Sequence, residues 1–157
     1  MSRMRHSMAE LTPQYSADRA VREYTEQHYL AGAEAYRQRA AEKGAAGRAI
    51  VDWKRGLESH WEALRFAEVR VETHDGRHIF EVRVDLDGLD RGDVVVEVYA
   101  DGTGPFRQAM QAADGRPGVY RAEIPAERPA TDFTVRVIPQ RAGVAVPLEA
   151  GRILWQR

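Results

Sequence analysis

The spacing of apolar residues changes its period at Phe66, and this change divides the chain into two kinds of structure. Before Phe66, apolar residues recur every three or four positions, as on one face of an α-helix. After it, residues such as Val69 and Val71 alternate with charged residues, as in a strand with one buried face. The sequence therefore predicts an α+β protein, with helices over residues 1–65 and an all-β domain over residues 66–157.

The helical part is expected to form a long antiparallel hairpin. Ser16 is a suitable N-cap for a long helix over residues 17–43, and Gly44 suits the C-cap of that helix. A second helix is predicted from residue 48 to residue 65, and the short connection between two amphipathic helices favours antiparallel packing. The residues expected to meet in the hairpin are Val21, Tyr24, Ala35, Ile50, Leu57, Trp61 and Leu64.

The β part is predicted to contain seven short strands without an intervening helix. The pair Asp75-Gly76 predicts a β-hairpin turn, since both residues can adopt the positive φ that a tight turn requires. The run Phe106 to Met110 is expected to be the fourth strand, and residues 152–155 the last. Seven short strands at this spacing are typical of a two-sheet antiparallel sandwich of the immunoglobulin-like type.

Composition excludes several classes of function. The chain contains no cysteine, so it can form neither a disulfide nor a thiolate zinc site, and this is compatible with a reducing compartment. The formal net charge is -1, which gives no indication of a nucleic-acid or anionic-membrane partner. No apolar run approaches the roughly 20 residues of a membrane-spanning helix. We therefore expect a cytoplasmic protein without a nucleic-acid or membrane partner.

The histidines are candidates for chemistry, but each has a structural interpretation. His74 and His78 bracket the predicted turn and could form a metal clip with Asp75, although exposed turn histidines are the expected outcome. His28 and His60 are expected inside the hairpin interface rather than as a catalytic pair. No metal site is predicted from these residues.

An acidic connection follows the second predicted strand. It lacks the ligand order of a calcium loop and its closing glutamate, so a solvated turn is expected. Its four carboxylates are Asp85, Asp87, Asp90 and Asp93.

Two segments carry a resemblance to a known family. The motif Tyr15-Ser16-x-Asp18-Arg19-x-Val21-x-x-Tyr24 resembles the closing segment of the second nucleotide-fold domain in the alpha-glucan (glycogen) phosphorylases. The run from Arg136 to Arg157, with Gly143-Val144-Ala145-Val146-Pro147 inside it, is similar to the ending of the bacterial, actinobacterial-type branch of this family. The resemblance covers nearly the whole chain.

This resemblance implies a glycosyltransferase of carbohydrate metabolism that uses pyridoxal phosphate to phosphorolyse α-1,4-glucan to glucose 1-phosphate. Neither Lys43 nor Lys54 lies in a context like that of the family's cofactor lysine, so no catalytic, cofactor-binding or metal residue is assigned. The chain is then expected to be a C-terminal fragment comprising closing helices and a sandwich. Its expected partners are the remainder of the catalytic body and, through the helices, a second copy of the chain.

The alternative is an independent interaction module or glucan-binding module of the β-sandwich type. Starch-binding modules use exposed aromatic rings as platforms for sugars, and Trp155 and Tyr99 are the candidates for such stacking. Packing in the core or between domains is the other interpretation of the same rings. A lysine-containing cofactor segment in the reading frame before Met1 would favour the phosphorylase hypothesis.

Overall fold

The computed structural model describes residues 2–102 and 104–156 and divides the chain into two compact units, Met1–Ala49 and Ile50–Arg157. Helices come first in the chain and two antiparallel sheets follow, which confirms the α+β class. The second unit begins at Ile50, inside the segment predicted as a helical hairpin, because the end of the last helix packs with the strands.

The first unit is helical throughout its described length. It contains α1 (Ser2–Tyr15), α2 (Ala17–Tyr24), one π-helical turn (Thr25–Tyr29) and the first part of α3 (Leu30–His60). Ser16 is the N-cap of α2, and its hydroxyl accepts a hydrogen bond of 3.2 Å from the Arg19 amide, as the sequence predicts. The π turn interrupts the regular helix that was expected from residue 17 onward.

The predicted break between two long helices lies inside α3. Glu42, Lys43 and Gly44 have φ values of 52°, 58° and 80°, so the backbone leaves the right-handed helical region there. Gly44 takes the left-handed conformation that a C-cap glycine commonly adopts. The helix is therefore broken where the sequence predicts it.

The residues expected on the second helix of the hairpin pack in the core of the second unit. Leu57, Trp61 and Leu64 are buried in one hydrophobic cluster with residues of the strands. Val21 and Tyr24 are 64% and 57% exposed. The apolar stripe at the end of α3 and in the following 3₁₀ turn (Trp61–Ala63) thus belongs to the core of the second unit.

Two four-stranded antiparallel sheets make up most of the second unit. The first sheet has the order β1-β2-β6-β5 and the second has the order β4-β3-β7-β8. The strands are β1 (Arg65–His74), β2 (Arg77–Asp85), β3 (Val94–Ala100), β4 (Phe106–Ala109), β5 (Gln111–Ala112), β6 (Val119–Pro125), β7 (Thr134–Pro139) and β8 (Leu154–Trp155). Buried side chains of both sheets, including Phe80, Ile124 and Val135, share a single core.

The β-hairpin at Asp75 and Gly76 forms as predicted. The two residues have φ values of 49° and 71°, and His74 pairs with Arg77 across the turn. The predicted fourth strand is shorter than expected, because the chain passes from one sheet to the other at Met110. The Met110 amide still bonds to the Val96 carbonyl in the second sheet, and the next two residues pair with β6 in the first.

Among the described residues, no helix is both long and apolar enough to cross a membrane.

Candidate functional site

The two rings singled out for sugar stacking lie together on the outer face of the second sheet. Tyr99 in β3 and Trp155 in β8 have ring centroids 5.5 Å apart, at an interplanar angle of 70°. Strand alternation turns both rings away from inner residues such as Val98 and Val135, which are 0% exposed. The described structure therefore brings the two candidate residues into one aromatic pair.

A buried ion pair lies beside these rings on the same face. Arg136 in β7 is opposite both Glu97 in β3 and Trp155 in β8, so the three residues form one row across the sheet. The Arg136 Nε donates to the Glu97 Oε1 at 2.6 Å, and both residues are only 7% exposed. The pair is thus fixed by register and largely removed from water.

The same guanidinium contacts both aromatic rings. The Cζ of Arg136 lies 4.0 Å from the ring centroid of Tyr99 and 5.1 Å from that of Trp155. A guanidinium over an aromatic face is attracted by the quadrupole of the ring, most strongly where water is excluded. We call these four residues, Glu97, Tyr99, Arg136 and Trp155, the aromatic cluster.

A further hydrogen bond fixes the hydroxyl end of Tyr99. That hydroxyl donates to the Asp101 Oδ1 at 2.6 Å. The bond to this carboxylate raises the pKa of Tyr99 above its ordinary value, because deprotonation would remove the donor and bring two negative charges together. The bond to Asp101 therefore favours the neutral phenol.

An open groove of about 400 Å³ borders the aromatic cluster. Trp155 is 39% exposed there, and Arg128 pairs with Asp132 at 3.2 Å in the groove wall. A partly exposed ring beside carboxylates can hold a sugar, since the C–H face of the sugar packs on the ring while its hydroxyls donate to the carboxylates. The lining residues are Tyr99, Ala100, Asp101, Arg128, Asp132, Thr134 and Trp155.

Sequence reasoning missed Arg136 and Glu97. Each interrupts an apolar run of its strand, at a position where alternation points outward. Pairing the third predicted strand with the sixth would have placed the opposite charges of Glu97 and Arg136 next to each other. That pairing was not predicted, because neighbours in a sheet are not fixed by strand sequence alone.

The histidines at the turn do not form a metal clip. His78 is only 5% exposed, with ring nitrogens 2.8 Å from the Thr73 Oγ1 and 2.8 Å from the Arg128 carbonyl oxygen. His74 is exposed, and its Nε2 lies 3.8 Å from the Glu72 carboxylate. The expectation of an exposed turn histidine is therefore wrong for His78, whose position in β2 points to the core.

The other two histidines also lie in surroundings that differ from the prediction. His28 is exposed and its ring contacts that of Tyr24, with centroids 5.9 Å apart. His60 is half-buried, and its Nδ1 lies 3.2 Å from the Asp87 carboxylate in the acidic connection. The ring of His28 is therefore exposed, and the ring of His60 faces the acidic connection.

The acidic connection contacts basic side chains of the protein. Asp85 accepts from Arg65 at 2.6 Å, Asp87 faces His60, and Asp93 lies 3.5 Å from Arg141. Within residues 2–102 and 104–156, no group of three or more histidines and carboxylates is placed to hold a metal ion.

Comparison with known proteins finds phosphorylases. The chain is 32% identical over 170 residues to the maltodextrin phosphorylase of Thermococcus litoralis, an alignment that takes in 98% of this chain and 20% of that protein. It is 26% identical over 167 residues to the glycogen phosphorylase of Mycobacterium tuberculosis, covering 96% of this chain and 19% of the relative. The chain thus spans about a fifth of the length of these relatives. No family model and no solved structure matches it.

Proposed function

We propose that this chain is the C-terminal region of a phosphorylase-related protein, and that it serves structure and assembly rather than catalysis. The observation that carries the proposal is the alignment, which takes in nearly all of this chain but only about a fifth of each phosphorylase. Such a region would act in the cytoplasm with the remainder of the catalytic body. Its closing helices would belong to that body, and its β unit would be an appended domain.

The exposure of the first unit supports this role. None of its residues whose side chains the structure describes is buried. Helices in water draw most of their stability from packing an apolar face, so a helical unit without a core needs a covering surface. The largest exposed apolar side chains of this unit include Met4, Met8, Tyr15, Val21, Tyr29, Leu30 and Tyr36.

The remainder of a catalytic body is the surface proposed to cover these helices in a longer protein. In the isolated chain, a second copy would take its place and give a dimer. Light scattering should therefore report twice the monomer mass at micromolar concentration, and Val21→Lys with Leu30→Lys should return the monomer. A monomeric wild-type chain would refute self-association through the helices.

The two sheets are proposed to form an immunoglobulin-like sandwich. Support comes from the single core that contains inner residues of both sheets, such as Phe80 of β2 and Val135 of β7. An experimental structure in which these two side chains lie in separate cores would contradict this assignment.

The absence of catalysis is tested with the isolated chain. Lys43 is exposed in the helix break and Lys54 lies on α3, and the proposal assigns neither lysine to pyridoxal phosphate. After incubation with the cofactor and dialysis, we expect no cofactor absorbance, and no release of glucose 1-phosphate from glycogen and phosphate. A full-length maltodextrin phosphorylase assayed in parallel is the positive control. Retained absorbance together with product would overturn the proposal.

A second candidate function is direct contact with an α-glucan at the groove. The observation that favours it is the meeting of Tyr99 and Trp155 at an open groove whose wall carries carboxylates. An aromatic stacking contact contributes ~1 kcal/mol, which corresponds to about a fivefold change in Kd. One such platform gives only about millimolar affinity.

Titration with maltoheptaose, followed by NMR, tests this second candidate. Trp155→Ala and Tyr99→Ala should each weaken binding about fivefold. Tyr36→Ala is the matched control, because Tyr36 is 73% exposed in the helical unit and should leave the affinity unchanged. If neither change in the aromatic cluster weakens a measurable affinity, the stacking hypothesis is wrong.

A further inference from the structure

The burial of charge on the outer face of the second sheet needs a physical explanation. Outer positions of antiparallel sheets commonly face water, yet Glu97 and Arg136 are each only 7% exposed. Removing two charges from water costs about as much as their attraction returns, so a buried ion pair adds little net stability. Ion pairs of this kind can instead specify one arrangement of the groups around them.

The arrangement specified here includes Trp155. Its strand β8 has only two residues, Leu154 and Trp155, and forms the edge of the sheet. The backbone is held by pairing with β7 and by the bond of 3.0 Å from the Gln156 amide to the Val135 carbonyl. These backbone bonds place the Cα of Trp155 but leave the torsions of its side chain open. The indole must therefore be oriented by what it packs against.

Arg136 contacts the indole and is itself held in place. Its guanidinium is bonded to Glu97, and the Cζ of the same group lies 4.0 Å from the Tyr99 centroid and 5.1 Å from the Trp155 centroid. Tyr99 is anchored at its other end by Asp101. A planar guanidinium can bond a carboxylate in its plane and stack on rings with its faces, which lysine cannot do.

We propose that Arg136, held by Glu97, is a positioning residue that sets Trp155 and Tyr99 as a preformed platform for a neutral sugar chain. This inference rests on the glucan-binding candidate above. A platform that is already ordered loses less conformational freedom when the ligand binds, so its affinity is higher. The guanidinium is engaged by Glu97, so it adds no free positive charge for an anionic ligand.

The test replaces the ion pair by two amides, Glu97→Gln with Arg136→Gln. Two amides can still hydrogen-bond to each other and leave no unpaired buried charge, so the fold is expected to persist. The matched control is Glu81→Gln with Arg116→Gln, which removes an ion pair of 2.7 Å on the outer face of the first sheet. The readouts are the Trp155 indole N–H signal, identified by its loss in Trp155→Phe, and the Kd for maltoheptaose.

In the variant lacking Arg136 and Glu97, we expect the indole signal to shift and its ¹⁵N relaxation to show increased motion. The affinity for maltoheptaose should fall as far as in Trp155→Ala, about fivefold. The control variant should keep both readouts at their wild-type values. An unchanged indole signal in the variant would overturn the proposal, as would unchanged affinity alongside a loss in Trp155→Ala.

Arg136→Lys keeps the test decisive if the double amide variant does not fold. It retains a positive charge for Glu97 but loses the planar stacking surface, so the indole should become more mobile than in the wild type. Wild-type indole relaxation in Arg136→Lys would refute the positioning role. If the wild-type chain binds no maltoheptaose, the glucan candidate fails, while the indole signal still decides whether Arg136 orients the ring.

Discussion

The end of the last helix is part of the β core, and Leu57→Ala tests this assignment. Leu57 is 2% exposed and belongs to the same buried cluster as Trp61 and Phe80. Replacing a fully buried leucine by alanine costs about 3–5 kcal/mol, because apolar contact is lost and a cavity remains. A unit of this size has an m value of about 1–1.5 kcal/mol per M urea, so the midpoint of unfolding should fall by about 2–5 M.

The assay is urea unfolding of the full chain, followed by tryptophan fluorescence, which reports on the buried Trp53 and Trp61. Val51→Ala is the matched control, because Val51 lies on the same helix and is 47% exposed. That change should cost less than about 1 kcal/mol. If Leu57→Ala lowers the midpoint no more than Val51→Ala, the helix end does not belong to the β core and the reasoning is refuted.

Two further predictions concern the strands. Gly118 has a φ of +75°, and an added Cβ would lie 2.8 Å from the Val84 carbonyl oxygen. Gly76 has a φ of +71°, but an added Cβ there would meet open space. Gly118→Ala should therefore lower the free energy of unfolding by at least about 1 kcal/mol more than Gly76→Ala does. Equal unfolding midpoints for these two variants would contradict the clash. The hydrogen bond from Arg116 lowers the pKa of Glu81 in the folded protein below its ordinary value. The ionised carboxylate therefore stabilises the folded state at pH values above the pKa of Glu81 in the unfolded chain. This stabilisation is lost as the pH falls through the lowered pKa of the folded state. In Arg116→Gln the pKa of Glu81 should rise, and an unchanged NMR titration of its side-chain carboxyl would show that Arg116 is not the cause.

Several elements could be predicted because their signals are local. The Ser16 cap depends on one side chain and an amide three residues later, and the turn at Asp75 and Gly76 depends on which residues tolerate positive φ. Alternation located the main strands in the same way, since each side chain's face follows from its position in the strand. The helix break at Gly44 was also recognisable from the residue itself.

Other features depended on which surfaces meet. Helical periodicity identifies the apolar stripe containing Leu57 and Trp61, but it does not show that this stripe packs on the β core. His78 was expected in solvent because its turn is exposed, while its strand position places the ring in the core.

The candidate site shows the same limit. Tyr99 and Trp155 could be selected one at a time as aromatic residues, but their contact and the ion pair of Arg136 with Glu97 depend on three strands being neighbours in a defined register. Apolar periodicity indicates which face of a helix or strand is buried, but it does not indicate what covers that face. Local chemistry therefore determined the elements of this protein, whereas long-range pairing, which depends on the free energy of the whole fold, decided which of their side chains meet.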